Sequence, residues 1–184
     1  MSNEYQTPGV IKTYDIGTDH VHTQRVLEIQ HNTVPILWAG TSFGVINITS
    51  DGDGLQTLAA VMPKSFYSVR VMLGPNPHAL PKDAWADVLP EGRRSSQHAF
   101  MFDDRLFWWR RMHDKSNGAS LMGGHDFKLV DGDDRAIAVY IDDRRTFHVE
   151  KIGRIDYFVE LGRYLELFSL AAILGIQHGI RRLA

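Results

Sequence analysis

The C-terminal segment 156–183 constrains the fold more than any other part of the chain. It contains no proline and is rich in the helix formers Leu, Ala, Glu and Arg. Apolar residues lie not on one helical face but on all of them: Leu161, Leu165, Leu167, Phe168, Leu170, Ala171, Ala172, Ile173, Leu174 and Ile176. A helix that is apolar on every side must be surrounded by protein or by lipid. The sequence therefore predicts an enclosed helix over 156–183.

Lipid is the less suitable surrounding for this helix. Its apolar core, 164–176, is shorter than the roughly 20 residues that span a bilayer and contains Glu166. The N-terminal residues 1–9 are polar and do not resemble a secretory signal. The chain has no cysteine, which fits a reducing compartment. We therefore expect no transmembrane segment and a cytoplasmic location.

The rest of the chain consists of short strand-like runs separated by turn residues. Two halves, 10–73 and 98–155, are joined by a connection over 74–97 that holds four of the seven prolines and has room for a short helical turn at 83–88. The predicted strands are Val10–Ile16, His20–Gln30, Ser42–Thr49, Gln56–Met62, Phe66–Leu73, His98–Phe102, Arg105–Met112, His125–Val130, Arg135–Ile141 and Thr146–Ile152.

Hairpin signals support this interpretation in the second half. Asp103-Asp104 and the acidic turn 131–134 each separate two predicted strands. We predict a mainly β (α+β) fold in one domain, 1–184: a closed antiparallel β-barrel of about 12 strands around the C-terminal helix. The alternative is a long helix packed between two sheets.

The second half resembles the tubby C-terminal-like superfamily, which includes the tubby, LURP-one-related and phospholipid-scramblase branches. The resemblance rests on 100–110, reading Phe-Met-Phe-Asp-Asp-Arg-Leu-Phe-Trp-Trp-Arg, on 136–140, reading Ala-Ile-Ala-Val-Tyr, on 151–155, reading Lys-Ile-Gly-Arg-Ile, and on the apolar terminal helix. Short uncharacterised fungal members look most similar. The resemblance implies a roughly 12-stranded barrel around a hydrophobic C-terminal helix. It also implies a role at membranes, because tubby members bind phosphoinositides through basic residues on the barrel exterior.

One segment of the chain is positively charged. Residues 93–115 hold six basic and three acidic residues, next to the adjacent tryptophans Trp108 and Trp109. Arginines beside interfacial aromatics suit lipid headgroups or phosphate, although the same arginines could simply pair with Asp103 and Asp104 on a solvated face. Adjacent strand residues face opposite ways, so one tryptophan belongs to the core. The candidate lipid- or anion-binding residues are Arg93, Arg94, Arg105, Trp109, Arg110, Arg111 and Lys115.

The leading hypothesis is thus a non-enzymatic module that binds a membrane surface or a phosphorylated lipid. An alternative is a cofactor-free isomerase or cyclase that acts on a small molecule in a barrel-side pocket, with His113, His125 and His148 as candidate acids or bases. A protein-interaction scaffold is a third possibility. The net charge of −2 does not favour nucleic acid.

Metal and cofactor sites have little support in the sequence. His20 and His22 share one strand face but supply only two ligands. The Asp-Gly-Asp sequences at 51–53 and 131–133 lack the glutamate of a calcium loop and are interpreted as turns. We therefore predict no metal site and no cofactor.

Overall fold

Twelve antiparallel strands build the sheet of this protein. The computed structural model describes residues 9–19, 26–65, 68–75, 81–93, 96–112, 125–143 and 151–181. The strands are β1 (Lys12–Asp19), β2 (Val26–His31), β3 (Val34–Ser42), β4 (Val45–Thr49), β5 (Thr57–Pro63), β6 (Val69–Leu73), β7 (Ala86–Glu91), β8 (Gln97–Phe102), β9 (Arg105–Arg111), β10 (Phe127–Val130), β11 (Ala136–Asp142) and β12 (Lys151–Tyr157).

The sheet closes on itself. Each strand pairs with its neighbours in the chain, and β1 pairs with β12, Tyr14 lying opposite Ile155. A closed ring has no edge strand that is open along its whole length to pairing with another chain. The predicted closed antiparallel barrel is therefore confirmed, and strands from both halves of the chain take part in it.

Tight turns connect several of the strands. Asn32 and Thr33, Phe43 and Gly44, and Asp103 and Asp104 all have positive φ, between 47° and 78°. Two consecutive residues of positive φ make the type I′ turn, whose twist matches that of a hairpin. The hairpin predicted around Asp103 and Asp104 is confirmed, with Phe102 opposite Arg105.

The C-terminal helix α1 (Arg163–Arg181) lies inside the barrel. Its residues from Leu165 to Gln177 are all buried, on every face of the helix. Gly175 packs so closely that a Cβ built on it would lie 2.4 Å from Cγ1 of Val61 in β5. The enclosed helix is confirmed, and the alternative of a helix between two sheets is wrong. Within the described residues, no helix has both the length and the apolar character needed to cross a membrane.

Helix α1 begins at Arg163 rather than at Asp156 as predicted. Asp156 and Tyr157 instead complete β12, which pairs with β1 on one side and with β11 on the other. The side chain of Tyr157 is fully buried in the core, and Gly162, with a φ of 78°, turns the chain into the helix. The predicted helix extended too far because 156–162 contains no proline to mark a boundary.

The proline-rich connection is also more regular than predicted. It contains a 3-10 turn at Lys82–Ala84 and then β7, where the sequence predicted only a short helical turn at 83–88. Trp85 packs outside the barrel against a small cluster that includes Met72. Strand β3 was not predicted either, and Val69 rather than Phe66 begins β6. Residues 20–25, 66–67 and 146–150, parts of three predicted strands, lie outside the described residues.

Candidate functional site: an apolar patch with a basic border

Strand β9 places its side chains alternately inside and outside the barrel. Phe107 and Trp109 face the core and are buried, whereas Trp108 and Arg110 lie on the outer surface. The indole Nε1 of Trp109 donates to the backbone oxygen of Ser169 in α1 at 3.2 Å, which anchors the helix to the barrel wall. The assignment of Trp109 to a binding surface is therefore wrong, since its side chain is 0% exposed. Trp108 occupies the outer position.

Trp108 belongs to a continuous apolar surface on β7, β8 and β9. The side chains of Leu89, Met101 and Leu106 are exposed by 46%, 51% and 37%. The strand register brings them together, because Leu89 and Trp108 both lie opposite Ala99, and Met101 lies opposite Leu106. We call Leu89, Met101, Leu106 and Trp108 the outer patch. Exposed apolar side chains that adjoin one another mark interaction surfaces more often than single ones do.

A basic border lies beside the outer patch, at the end of β9. Arg110 lies directly opposite Lys128 of β10, and its guanidinium carbon is 5.2 Å from the ring centre of Trp108. Arg110 forms an ion pair with Asp134, whereas Lys128 has no ion pair with any described residue. Like charges directly opposite each other on a sheet are destabilising. Asp134 balances the charge of Arg110, so Lys128 is the cation of this pair that remains free for an anionic partner.

Acidic groups fix the geometry of this surface. Nε1 of Trp108 donates to Oε2 of Glu91 at 3.1 Å, and Nε2 of Gln97 donates to the same oxygen at 3.2 Å. These bonds hold the Trp108 ring in one orientation on the outer sheet. The turn residues Asp103 and Asp104 lie at the opposite end of the β8–β9 hairpin from Glu91, so carboxylates border the patch at both ends.

The predicted basic residues do not form one surface. Arg105 occupies an inward-facing position of β9, at the end of the barrel where α1 begins. Its guanidinium lies 5.2 Å from the ring centre of Phe107. Arg111 also occupies an inward-facing position, at the other end of β9, and its guanidinium carbon lies 5.9 Å from the ring centre of Phe127. The two arginines lie six positions apart on the strand, a distance of about 20 Å. Arg93 is exposed on the turn after β7, and Arg94 and Lys115 lie outside the described residues.

Of the three histidines proposed for the enzymatic alternative, only His125 lies within the described residues. His125 is half-buried beside β10, and its backbone oxygen accepts a hydrogen bond from Nε2 of Gln177 at 2.6 Å. His113 and His148 lie outside the described residues. The barrel interior is occupied by α1, whose Leu170 is completely buried. No group of three or more His, Asp or Glu side chains among the described residues is placed to hold a metal ion.

The predicted turns owe their shape to their first aspartate. The carboxylate of Asp51 accepts the backbone N–H groups of Leu55 at 2.9 Å and of Gln56 at 3.2 Å. Asp131 similarly accepts the N–H groups of Asp133 and Arg135, at 3.1 Å and 3.0 Å. Both carboxylates accept hydrogen bonds from the backbone of their own turn, as expected for the first aspartate of a turn.

A charged cluster that the sequence did not predict lies where α1 begins. Nζ of Lys12 donates to both carboxylate oxygens of Glu166, at 2.8 Å and 3.0 Å, and the hydroxyl of Tyr14 donates to Oε2 at 2.8 Å. Burial, together with the bond to Glu166, raises the pKa of Tyr14 above its ordinary value. A cleft of about 360 Å³ opens beside this cluster. Glu166 is the one acidic residue within the apolar part of the helix, and this is the sequence signal that could have predicted the charged cluster.

The outer patch was missed for a related reason. Leu89, Met101, Leu106 and Lys128 are unremarkable in the sequence, and only the strand register places them side by side. Comparison of the chain with known protein families, curated proteins and solved structures gave no match. The candidate site consequently rests on the geometry described above.

Proposed function

We propose that this protein is a non-enzymatic binding module that docks on an anionic membrane surface through the outer patch and its basic border. The observation that carries the proposal is an exposed apolar patch bordered by two adjacent cations, Arg110 and Lys128, with the Arg110 guanidinium carbon 5.2 Å from the ring centre of Trp108. A membrane surface offers both partners at once, an apolar layer beneath a layer of anionic headgroups.

The chemistry of each side chain supports this orientation. Tryptophan concentrates at membrane–water interfaces because its ring is apolar and its N–H is polar. Leu106 and Met101 beside Trp108 would enter the same shallow layer, while Arg110 and Lys128 would remain at headgroup level. A basic residue near an anionic leaflet contributes about 1 kcal/mol. Because Arg110 is already paired with Asp134, Lys128 supplies the larger share of this contribution, about 1 kcal/mol.

The resemblance to the tubby-like superfamily agrees with this assignment. In tubby members, phosphoinositides bind to basic residues on the barrel exterior, and here the border likewise lies on the exterior, on β9 and β10. The surface differs from the predicted set, because Trp108 replaces Trp109 and Lys128 joins Arg110.

Vesicle sedimentation tests the proposal. We expect the protein to bind phosphatidylserine-containing vesicles at low salt and phosphatidylcholine vesicles weakly, with binding falling as salt rises. The double variant Arg110→Gln/Lys128→Gln should bind about fivefold more weakly, which corresponds to about 1 kcal/mol. Lys64→Gln/Lys151→Gln removes the same charge from exposed lysines elsewhere and should bind like the wild type.

A second pair of variants tests the apolar contribution. Met101→Ser/Leu106→Ser should lower binding to the anionic vesicles, whereas Val34→Ser/Leu55→Ser, at exposed apolar positions on other strands and turns, should leave it unchanged. A wild type that does not sediment with anionic vesicles at low salt would overturn the proposal. Equal losses of vesicle binding in the site variants and in their control variants would also overturn the proposal. Competition by a soluble inositol phosphate would identify the headgroup rather than the bilayer surface as the ligand.

A further inference from the structure

A second surface feature is a cleft of about 560 Å³ on the outer face of β3, β4 and β5, which β6 separates from the outer patch. Its floor is formed by facing residues of two strands: Trp38 lies opposite Thr49, and Gly40 lies opposite Asn47. The inner-facing neighbour Ala39 is buried in the core, so the alternation of β3 directs Trp38 and Gly40 outward. The absence of a side chain at Gly40 leaves the floor open between Trp38 and Asn47.

The connection between β4 and β5 forms one wall of the cleft. Besides the two backbone N–H groups held by Asp51, the hydroxyl of Thr49 donates to the backbone oxygen of Asp51 at 2.7 Å. The hydroxyl of Ser50 donates to Oε1 of Gln56 at 3.0 Å, which leaves the amide nitrogen of Gln56 available. The wall is thus fixed by its own hydrogen bonds before any ligand binds, and a preformed site loses less entropy on binding.

The lining of the cleft combines polar and apolar groups and is almost uncharged. Asp53 is the single charged residue among the described residues that line it, and no Lys or Arg is among them. The indole of Trp38, the amide of Asn47 and the carboxylate of Asp53 make no hydrogen bond with the described residues. An anion would find no cation here, and an apolar ligand would leave these donors and acceptors unsatisfied.

We infer that this cleft binds a neutral polyhydroxylated ligand, a sugar of about disaccharide size. The flat indole of Trp38 offers a surface for the apolar face of a sugar ring. Asn47 supplies both donors and an acceptor, and Asp53 supplies acceptors for hydroxyl groups. The volume of about 560 Å³ lies within the range of small-ligand sites, roughly 300–1,000 Å³. This inference does not depend on the proposed membrane docking.

Saturation-transfer NMR with a panel of neutral disaccharides (maltose, cellobiose, lactose, sucrose and chitobiose) tests it, with glucose 6-phosphate as the charged comparison. At least one disaccharide should receive saturation from the wild-type protein, and glucose 6-phosphate should bind more weakly than that disaccharide. Trp38→Ala should weaken binding at least tenfold. Gly40→Leu should abolish binding, because it fills the floor: a Cβ at position 40 meets nothing closer than Cγ2 of Val26 at 3.7 Å, so the strand accepts it.

The matched control is Tyr164→Ala, which removes an exposed aromatic side chain at the start of α1, away from the cleft. It should bind the disaccharide like the wild type, and Gly40→Leu should bind anionic vesicles like the wild type. Three results would overturn the inference: no saturation of any disaccharide by the wild type, a signal that persists in Gly40→Leu, or glucose 6-phosphate bound as well as the neutral sugars. If Trp38→Ala fails to fold, Gly40→Leu alone decides.

Discussion

Gly175 is the position at which the packing of the helix inside the barrel is most easily measured. In an ordinary helix, replacing an interior glycine with alanine stabilises by about 1 kcal/mol, because glycine loses more backbone entropy on folding. Here the added Cβ would lie 2.4 Å from Cγ1 of Val61 and 3.3 Å from Cγ1 of Val69. The first distance is far below van der Waals contact, so β5 or α1 must shift.

The expected magnitude follows from these opposing effects. Overpacking a closely packed core costs about 1–3 kcal/mol. Taking about 2 kcal/mol for the steric cost and about 1 kcal/mol for the gain in helix propensity, Gly175→Ala should lower the free energy of unfolding by about 1 kcal/mol. Urea denaturation followed by circular dichroism measures this difference.

A double-mutant cycle with Val61→Ala separates the two effects. Val61→Ala removes the Cγ1 atom that the new methyl group would meet. In that background Gly175→Ala should become stabilising, by about 1 kcal/mol, which gives a coupling energy of about 2 kcal/mol between the two sites. A stabilising Gly175→Ala in the wild type, with no coupling to Val61, would refute the packing of α1 against β5.

Two further predictions concern the polar groups that hold α1 in place. Lys12→Met should lower the free energy of unfolding by about 3 kcal/mol in urea denaturation, because it leaves the buried Glu166 carboxylate without its cation. The double variant Lys12→Met/Glu166→Leu should recover most of that loss. Equal losses of stability in the two variants would contradict this prediction. Burial raises the pKa of Tyr157. The neutral hydroxyl therefore makes its full contribution to stability below pH ~10, and this contribution is lost as the pH rises toward the folded-state pKa. Above pH ~10, the free energy of unfolding of Tyr157→Phe should fall with the release of one proton fewer than in the wild type. The same pH dependence in both proteins would argue against a buried hydroxyl at Tyr157.

The sequence was sufficient for the architecture because two of its signals were independent. The all-round apolarity of the terminal segment required an enclosure, and the regular spacing of turns such as Asp103-Asp104 supplied enough strands to build one. Neither signal depends on knowing which residues meet across the sheet.

Strand β7 could not be predicted from the same signals. Pro90 suggested a surface connection, because proline cannot donate to a ladder. In the structure, β7 changes partners along its length: Ala86–Val88 pairs with β6, and Leu89–Glu91 pairs with β8. Pro90 therefore lies where β7 has no β6 neighbour, and its missing N–H costs no bond on that side.

The candidate site was only half predictable. Strand β9 is apolar on both faces, with Leu106 and Trp108 on one side and Phe107 and Trp109 on the other. Alternation alone shows that the two tryptophans face opposite ways but not which one faces the core. The choice depends on α1, since Ser169 accepts the hydrogen bond from Trp109. Lys128 was missed because it joins Arg110 through strand pairing, not through sequence proximity.

Thiol labelling measures the enclosure of α1 most directly, since the chain has no cysteine of its own. Ala172 is completely buried within the barrel, whereas Tyr164, at the start of the same helix, is 69% exposed. Under native conditions, Tyr164→Cys should react with a thiol reagent at the rate of an unfolded peptide. Ala172→Cys should react only as fast as the protein unfolds. Labelling of Ala172→Cys as rapidly as Tyr164→Cys, in a protein that remains folded, would contradict the enclosed helix.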